Sequence, residues 1–538
     1  AQRAKRFAGR YLTELIDVDK TSLLAAYKKF QKVGNADLYL SQSRIAEVRD
    51  SLPQSVKIFE HPYFDINYLE SDLKKFANEY SDFLNPDSAS TRARNDRYII
   101  RKQLEYKSLF DSLEKYPLTD EQRKAIVTEE DNILLIAAAG SGKSSTLVGK
   151  ILYLLKEEQY KPNELIALAF NRDASEELSE SIESLFKRFN WSGDPVSART
   201  FHGFCMDVLA KVNRKKPSIA QVATYGKDQQ TRFFTKLVAE LRSSDPDFQR
   251  ALLTYYAVFK FPQPRESKIK SKRDYDDYLY SLDGKGARDP NTGEWVVLLR
   301  AMNGIEVKSL EELTIANWLI LEGVEFEYEK RYDTDTATET HRQYYPDFYY
   351  PESDLWHEHF AIDRNGNAPS HFGKYIDGVH WKRELHLTQE TQLIETHSAD
   401  FTDGTIFEKL GAYLEEHSVT RTPMSSSKLD EMIDEAFNPD NDLELLITFL
   451  KHFKTNNLTI EEIESRASRS SEPLRSRAFL DVFKKIYNAY QLKLVQSGEI
   501  DFEDLMHMAC DLIEGGRYNS PFRYILVDEF QDASQDRL

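Results

Sequence analysis

Residues 132–155 read NILLIAAAGSGKSSTLVGKILYLL. An apolar run, a turn of small residues and a second apolar run at helical spacing leave few ways to fold. NILLIAAAG predicts a buried parallel strand, and SGKSSTLVGKILYLL a tight loop that turns into a helix. Within the stretch, Ala137–Ser144 has the spacing x-x-x-x-Gly-Lys-Ser of a P-loop, with alanine where the first glycine commonly stands. Small residues let the backbone curl so that its N–H groups point at phosphate oxygens. Ala139, Gly140, Ser141, Gly142, Lys143, Ser144 and Ser145 form the candidate cradle. Lys143 would reach the β- and γ-phosphates, and the Ser144 hydroxyl would ligate Mg²⁺.

A partner pattern stands near the other end. ILVDEFQD begins at Ile525, and its apolar strand ends in Asp528 and Glu529. Asp528 would hold the Mg²⁺ shell and Glu529 would polarise the attacking water. ELIALAF and YILVDEF predict two further buried strands, and strands alternating with helical segments predict an α/β parallel sheet. The distance between LIALAF and YILVDEF is too long for a crossover helix, so a large insertion is expected. Most of it has helical patterning, with β-like VEFEYEKRY, YYPDFYY and DLWHEHFAI in its middle. The expected organisation is a helical N-terminal region (1–116), the first part of the phosphate-binding domain (117–206), and a helical insertion (207–299). A small α/β domain (300–400), more helical insertion (401–499) and a return segment (500–538) follow.

The 538 residues suffice for several domains, and the net charge of −18 argues against a simple basic nucleic-acid coat. Local basic stretches stand out nonetheless: Arg92, Arg94, Arg97 and Arg101; Lys268, Lys270, Lys272 and Arg273; Arg466, Arg469, Arg475 and Arg477. Each one alone reads first as solvated surface. Cys205 and Cys510 lie far apart without a Cys-x-x-Cys pattern, so a disulfide framework is not expected and a reducing, cytoplasmic setting fits. No membrane partner is expected.

LTDEQRKAI with Gln122, AAAGSGKS, LAFNRDASEEL, ARTFHGF, DFEDLM and ILVDEFQD occur in the order of the motifs of UvrD-like superfamily 1 DNA helicases. ARTFHGF and SPFRYILVDEFQD resemble the bacterial helicase IV branch. The resemblance covers about 117–206 and 500–538. It implies a RecA-like P-loop domain with a 1B-type insertion, ATP and Mg²⁺ as cofactors, and 3′ to 5′ movement on DNA that is single-stranded or a tailed duplex. It implies that Gln122 reads adenine, and that Arg172, Thr200, Phe201 and His202 line a single-strand track. Asp173, where many relatives carry lysine, departs from the pattern. The family also uses a second RecA-like domain, so the chain is expected to be an N-terminal fragment that on its own binds nucleotide weakly and hydrolyses it poorly.

The middle of the insertion resembles a PD-(D/E)XK nuclease. There a helix carries an acid, a hairpin presents an Asp and the next strand presents Glu-x-Lys, so that two carboxylates hold Mg²⁺ (or Mn²⁺) at a scissile phosphate. Glu312, Asp347 and Glu358 occupy those places in order, but the lysine position is Phe360. Lys382, on the next helical stretch, is the candidate replacement. Strand alternation puts Leu355, His357, His359 and Ala361 on one face and Trp356, Glu358, Phe360 and Ile362 on the other, so a joint metal site of the histidines, His371 included, with Glu358 is not expected. The leading expectation is a helicase with an inserted nuclease-like domain acting in DNA repair or phage defence. The alternatives are a motor whose insert only grips DNA, and an ATP-driven remodeller bound to RNA polymerase.

Overall fold

The computed structural model describes residues 11–530 apart from 13, 17, 35, 63, 114, 115, 139, 158, 192, 260, 263–268, 339, 340 and 370–374. The chain forms two compact units, Ala1–Val208 with Ile513–Ala533, and Leu209–Leu512. Among the described residues no helix is long and apolar enough to cross a membrane.

The first unit is built on a parallel sheet in which β1 (Leu165–Ala169) lies between β2 (Ser197–Thr200) and β12 (Tyr524–Val527). Every residue of β1 is buried, which is why LIALA is apolar on both faces. The helix Lys143–Lys156 is buried over Val148–Leu155 and packs against the helix Asp120–Val127. Thr119 and Gln122 form a reciprocal cap at the start of the latter: Gln122 N–H donates to Thr119 Oγ1 (3.3 Å) and Thr119 N–H to Gln122 Oε1 (2.8 Å).

Among the described N-terminal residues, helices stand at Lys20–Gly34, Gln42–Ser51, Ser71–Leu84 and Ala89–Glu105. Their first basic stretch serves the fold: Arg94 donates to the carbonyls of Val33, Ala36 and Leu38 at the end of the first of these helices. Lys102 and Tyr106 join the P-loop helix region through Glu157.

One strand expectation fails. Residues 133–138 form no strand, and Ile133, Leu134, Leu135 and Ile136 are 40%, 67%, 40% and 86% exposed. Strand propensity is expressed only when a ladder partner is present, and this run is paired with no strand among the described residues.

The second unit holds β3 (Ser218–Ile219) paired with β11 (Glu499–Ile500), then an antiparallel sheet of β4 (Lys285–Arg288), β5 (Trp295–Arg300) and β6 (Glu306–Val307). Strand structure therefore occurs at Ser218–Ile219 and again from Lys285, inside the segment expected to be helical. The largest sheet runs β10–β9–β8–β7, from Gln392–His397, Leu355–Phe360, Phe348–Tyr350 and Glu327–Tyr328. β7, β8 and β9 are antiparallel neighbours, and β10 returns parallel to β9 after the helix Tyr375–Thr388.

All six residues of β9 are buried. Leu355 packs with Leu313 and Ala316 of the helix Leu310–Glu322, while Trp356 packs with Trp381 and Leu385 of the helix Tyr375–Thr388. A helix thus covers each face, and the alternation puts His357 and His359 towards one helix and Glu358 and Phe360 towards the other. The helix Leu310–Glu322 starts at Ser309, whose Oγ accepts from Glu312 N–H (3.1 Å). It is buried around most of its circumference.

Candidate functional site

Parallel pairing sets the first site. β1 and β12 match Leu168 with Val527, and Asp528 N–H donates to Leu168 O (2.8 Å), so Asp528 and Glu529 emerge just past the sheet. The loop and helix from residue 140 meet them there: Ser144 Oγ lies 3.3 Å from Asp528 Oδ2, and Lys143 Nζ lies 3.4 Å from Glu529 Oε2. Gly140 (φ +74°) and Gly142 (φ +83°) take the left-handed conformation that curls the loop. A Cβ on Gly142 would also stand 2.5 Å from Gln122 Nε2, which donates to Ser141 O (2.9 Å). Gln122 is therefore tied directly to the loop. Ser145 follows in the first helical turn, and Ala139 lies outside the described residues. A hydroxyl beside a carboxylate is a pair of hard oxygen donors, which suits Mg²⁺.

The four track candidates fare unequally. The Arg172 side chain is 87% exposed and donates to Glu176 Oε1 (2.8 Å) one helical turn on. Thr200 ends β2 and its Oγ1 accepts from Gly203 N–H (3.0 Å), which caps the helix that follows. His202 is partly exposed on that helix. Phe201 corrects the expectation: at 4% exposure its ring is packed in protein and offers no face to a base.

The UvrD/REP helicase N-terminal domain family matches residues 118–537. The chain belongs to the UvrD/REP helicase family. It is 27% identical over 186 residues to DNA helicase IV of Escherichia coli K12, a stretch covering 34% of this chain and 26% of that protein. It is 33% identical over 90 residues (17% and 12%) to the ATP-dependent DNA helicase PcrA of Bacillus subtilis 168, and 32% over 94 residues (18% and 12%) to PcrA of Staphylococcus aureus Mu50. The matched stretches thus span about a quarter or less of these relatives.

The second unit of this UvrD/REP-family chain holds the carboxylates. Glu358 is 1% exposed, and both its oxygens are engaged: Oε2 by Lys382 Nζ (2.6 Å), Oε1 by Tyr344 O–H (2.6 Å). Lys382 Nζ also lies 5.5 Å from the centre of the Phe360 ring, which is fully buried. The ring fills the space of the absent lysine, and the ammonium arrives above it from the neighbouring helix. Asp347 Oδ2 accepts His359 N–H (2.7 Å). Burial, then Glu358, then Glu312 raise the Asp347 pKa well above the ordinary carboxylate value, against the pull of Lys382. Burial disfavours the Lys382 charge, but Glu358 and Asp347 outweigh it and raise its pKa. Glu312 sits at the helix start, accepting from Tyr328 O–H (2.6 Å) and Lys308 N–H (3.2 Å). The structure therefore brings Asp347, Glu358 and Lys382 together, with Glu312 close enough to act on Asp347 electrostatically.

The donors are of the hard oxygen type that Mg²⁺ or Mn²⁺ takes. Among the described residues no three His, Cys, Asp or Glu side chains converge on a cation position. A cation here would draw on the two carboxylates and complete its shell from water and phosphate.

Several supporting residues escaped the sequence reading. Tyr344 O–H also lies 3.3 Å from His386 Nε2, and burial followed by Lys382 pushes the His386 pKa down to about 4. On the opposite face of β9 runs a buried chain: Tyr350 Oη–His357 Nδ1 (2.9 Å), His357 Nε2–Thr396 Oγ1 (2.8 Å), Thr396 Oγ1–His359 Nδ1 (2.8 Å) and His359 Nε2–Glu311 Oε2 (2.9 Å). One ordering satisfies every donor: each group donates to the next, each ring carries its proton on Nε2, and the carboxylate of Glu311 accepts last. Burial keeps the Tyr350 hydroxyl protonated and lowers the His357 pKa well below its usual value. The chain pins β9 to β10 and to the helix Leu310–Glu322, and so holds the His359 N–H that grips Asp347. His357 and His359 point away from Glu358, as alternation predicted. His371 lies outside the described residues.

Proposed function

We propose that the chain is the nucleotide-binding part of an ATP-dependent DNA helicase or translocase, moving 3′ to 5′ on DNA with single-stranded tracts. The observation that carries this is the meeting of Lys143 and Ser144 with Glu529 and Asp528 at the end of a parallel sheet. Bound Mg²⁺ would neutralise phosphate charge. The loop amides and Lys143 would hold the phosphates, Gln122 would carry the adenine contact to the loop through Ser141, and Glu529 would orient the attacking water. The relatives' names, DNA helicase IV and ATP-dependent DNA helicase PcrA, support this reading. DNA-stimulated ATP hydrolysis and strand separation by the full-length protein test it. Both should disappear in Lys143→Ala and Glu529→Gln, and hydrolysis that persists in Lys143→Ala would refute the site.

We further propose that the insertion is a PD-(D/E)XK-type phosphodiester-cutting domain with Asp347, Glu358, Lys382 and Glu312 as its site, serving DNA repair or defence. Its support is Lys382 standing over Phe360 at Glu358, with Glu312 on a helix, Asp347 in the following hairpin and Glu358 on the next strand. Asp347 and Glu358 would hold the cation and Lys382 would position the water. Labelled single-stranded DNA with Mg²⁺ or Mn²⁺ should be cut by the full chain and left intact by Asp347→Ala. Cutting that survives this change would reject the assignment. The full engagement of Glu358 by Lys382 and Tyr344 favours a second reading, an insert that grips DNA without cutting, and absence of cutting under either metal would select it.

A further inference from the structure

Outside both sites, the β4–β5 hairpin and the helix Lys272–Ser281 expose two aromatic rings together. Trp295 is 57% exposed and Tyr280 43% exposed, and Trp295 Nε1–H donates to Tyr280 Oη (3.2 Å). Both side chains come close to the backbone of β4 at Gly286. A Cβ on Gly286 would stand 2.6 Å from Trp295 Cζ2 and would clash with Tyr280 Oη as well. Exposing a large indole costs hydrophobic stabilisation, and fixing its rotamer adds to that cost, so a rigid exposed pair is a prepared contact surface.

The surroundings set the partner's chemistry. Arg288 is the direct cross-strand neighbour of Trp295, on the same face, and it is exposed. Lys272 Nζ donates to the Trp295 carbonyl (3.1 Å), while Lys285, paired with Leu298, lies on the other face of the hairpin. Neither Arg288 nor Lys272 makes an ion pair among the described residues; of the nearby acids, Glu294 pairs with Arg342 (3.1 Å) and Asp277 with Arg273 (4.0 Å), whereas no ion pair engages Asp276 or Asp283. Flat rings beside unpaired cations match bases that stack and phosphates that need neutralising, the chemistry of a single strand, whose bases are free to leave their own stack. A duplex hides those faces.

The surface is also anchored to the carboxylates. Asp289, which follows Arg288, is buried and pairs with Lys308 Nζ (2.8 Å), and Lys308 N–H donates to Glu312. The Lys308 ammonium holds the Asp289 carboxyl down to about 2 even against burial.

We infer that Trp295, Tyr280, Arg288 and Lys272 form a stacking surface for single-stranded DNA that delivers a strand toward the carboxylate site; the delivery, though not the binding, rests on the cutting reading above. Photo-crosslinking of a single-stranded oligonucleotide carrying 5-iodouracil to the full chain, done in Asp347→Ala so that no cutting intervenes, tests the binding. Adducts are expected on Trp295 or Tyr280 by mass spectrometry, competed by unlabelled single strand and not by blunt duplex. Trp295→Ala should weaken single-strand binding roughly tenfold, Trp295→Phe should retain most of it, and Arg288→Ala should lower the salt dependence by about one phosphate contact. Adducts confined to other residues, equal competition by duplex, or unchanged affinity in both Trp295→Ala and Arg288→Ala would overturn the inference. A cutting assay on the parent protein, with Trp295 and the native site in place, separates the two readings. Normal crosslinking without any cutting rejects the nuclease alone, and cutting without these adducts rejects the surface alone.

Discussion

Lys382→Met is the most informative single change in the second unit. Glu358 is 1% exposed and Lys382 28% exposed, so their 2.6 Å pair is shielded on one side and partly open to water on the other. Removing one partner of a buried pair costs about 3–5 kcal/mol, chiefly because the other charge is left uncompensated. Here Tyr344 still donates to Glu358 and water reaches the lysine end, so the low end applies, about 3 kcal/mol. In a unit of this size each kcal/mol moves the midpoint by roughly 2 °C, giving a drop of about 6 °C. Adding Glu358→Gln removes the stranded charge, and the double variant should recover about 2 kcal/mol of the loss. Because the Lys382 pKa lies above the ordinary lysine value, its contribution is complete below about pH 10.5 and is lost only as pH rises through the raised value. The deficit should therefore stay flat from pH 7 to 10. Trp295, Trp318, Trp356 and Trp381 lie in this unit and only Trp191 lies in the other, so tryptophan fluorescence follows the relevant transition. A Lys382→Met midpoint within 1 °C of the parent, or a double variant as unstable as the single one, would refute the buried pair.

The neighbouring groups make their own predictions. Asp347 holds a proton in the folded state that the unfolded chain releases, so stability falls as pH rises from its ordinary value through its raised one. Asp347→Asn should therefore melt higher than the parent at pH 8 in metal-free buffer, with the advantage shrinking toward pH 4. His386 behaves oppositely. With its pKa near 4 against about 6.5 unfolded, its contribution of about 3 kcal/mol is present above pH 6.5 and is lost as pH falls toward 4. His386→Asn should flatten that acid slope in melting curves. In the first unit, Lys143→Ala should weaken nucleotide binding more than tenfold in a fluorescent-analogue titration while leaving the midpoint within about 1 °C, since the Lys143–Glu529 pair is open to solvent. Gly142→Ala should weaken nucleotide binding comparably by displacing Gln122 from Ser141 and straining the loop.

Motifs carried by local chemistry were legible in the sequence. The small residues before Lys143 and the alternation of faces along β9 each depend on neighbours a few positions away, and the structure realises them. Features that depend on distant partners were not legible. The run at 133–136 has strand propensity, but a ladder is a property of two segments, and the run is paired with none among the described residues. Phe201 has the chemistry of a stacking residue, yet only the packing around it decides whether a face is free. The His357–Thr396–His359–Glu311 chain joins residues 37 to 48 positions apart, and no spacing rule connects them.

Phe360 shows how far alternation alone can reach. It places Glu358 and Phe360 on one face, and a phenylalanine there removes the ammonium from the strand. It cannot say whether another element restores the charge. That depends on the crossover between two parallel strands, which brings a helix back across the sheet. The Tyr375–Thr388 helix does so in this chain and sets Lys382 against the carboxylate and over the ring together. A ring is then better than a gap at position 360: it excludes water from Glu358, and its π face favours the cation that compensates the same buried charge. Phe360→Lys in a Lys382→Met background should therefore restore much of the lost stability if charge alone matters. If it restores charge but not the midpoint, the packed ring is itself part of what holds Lys382 to Glu358.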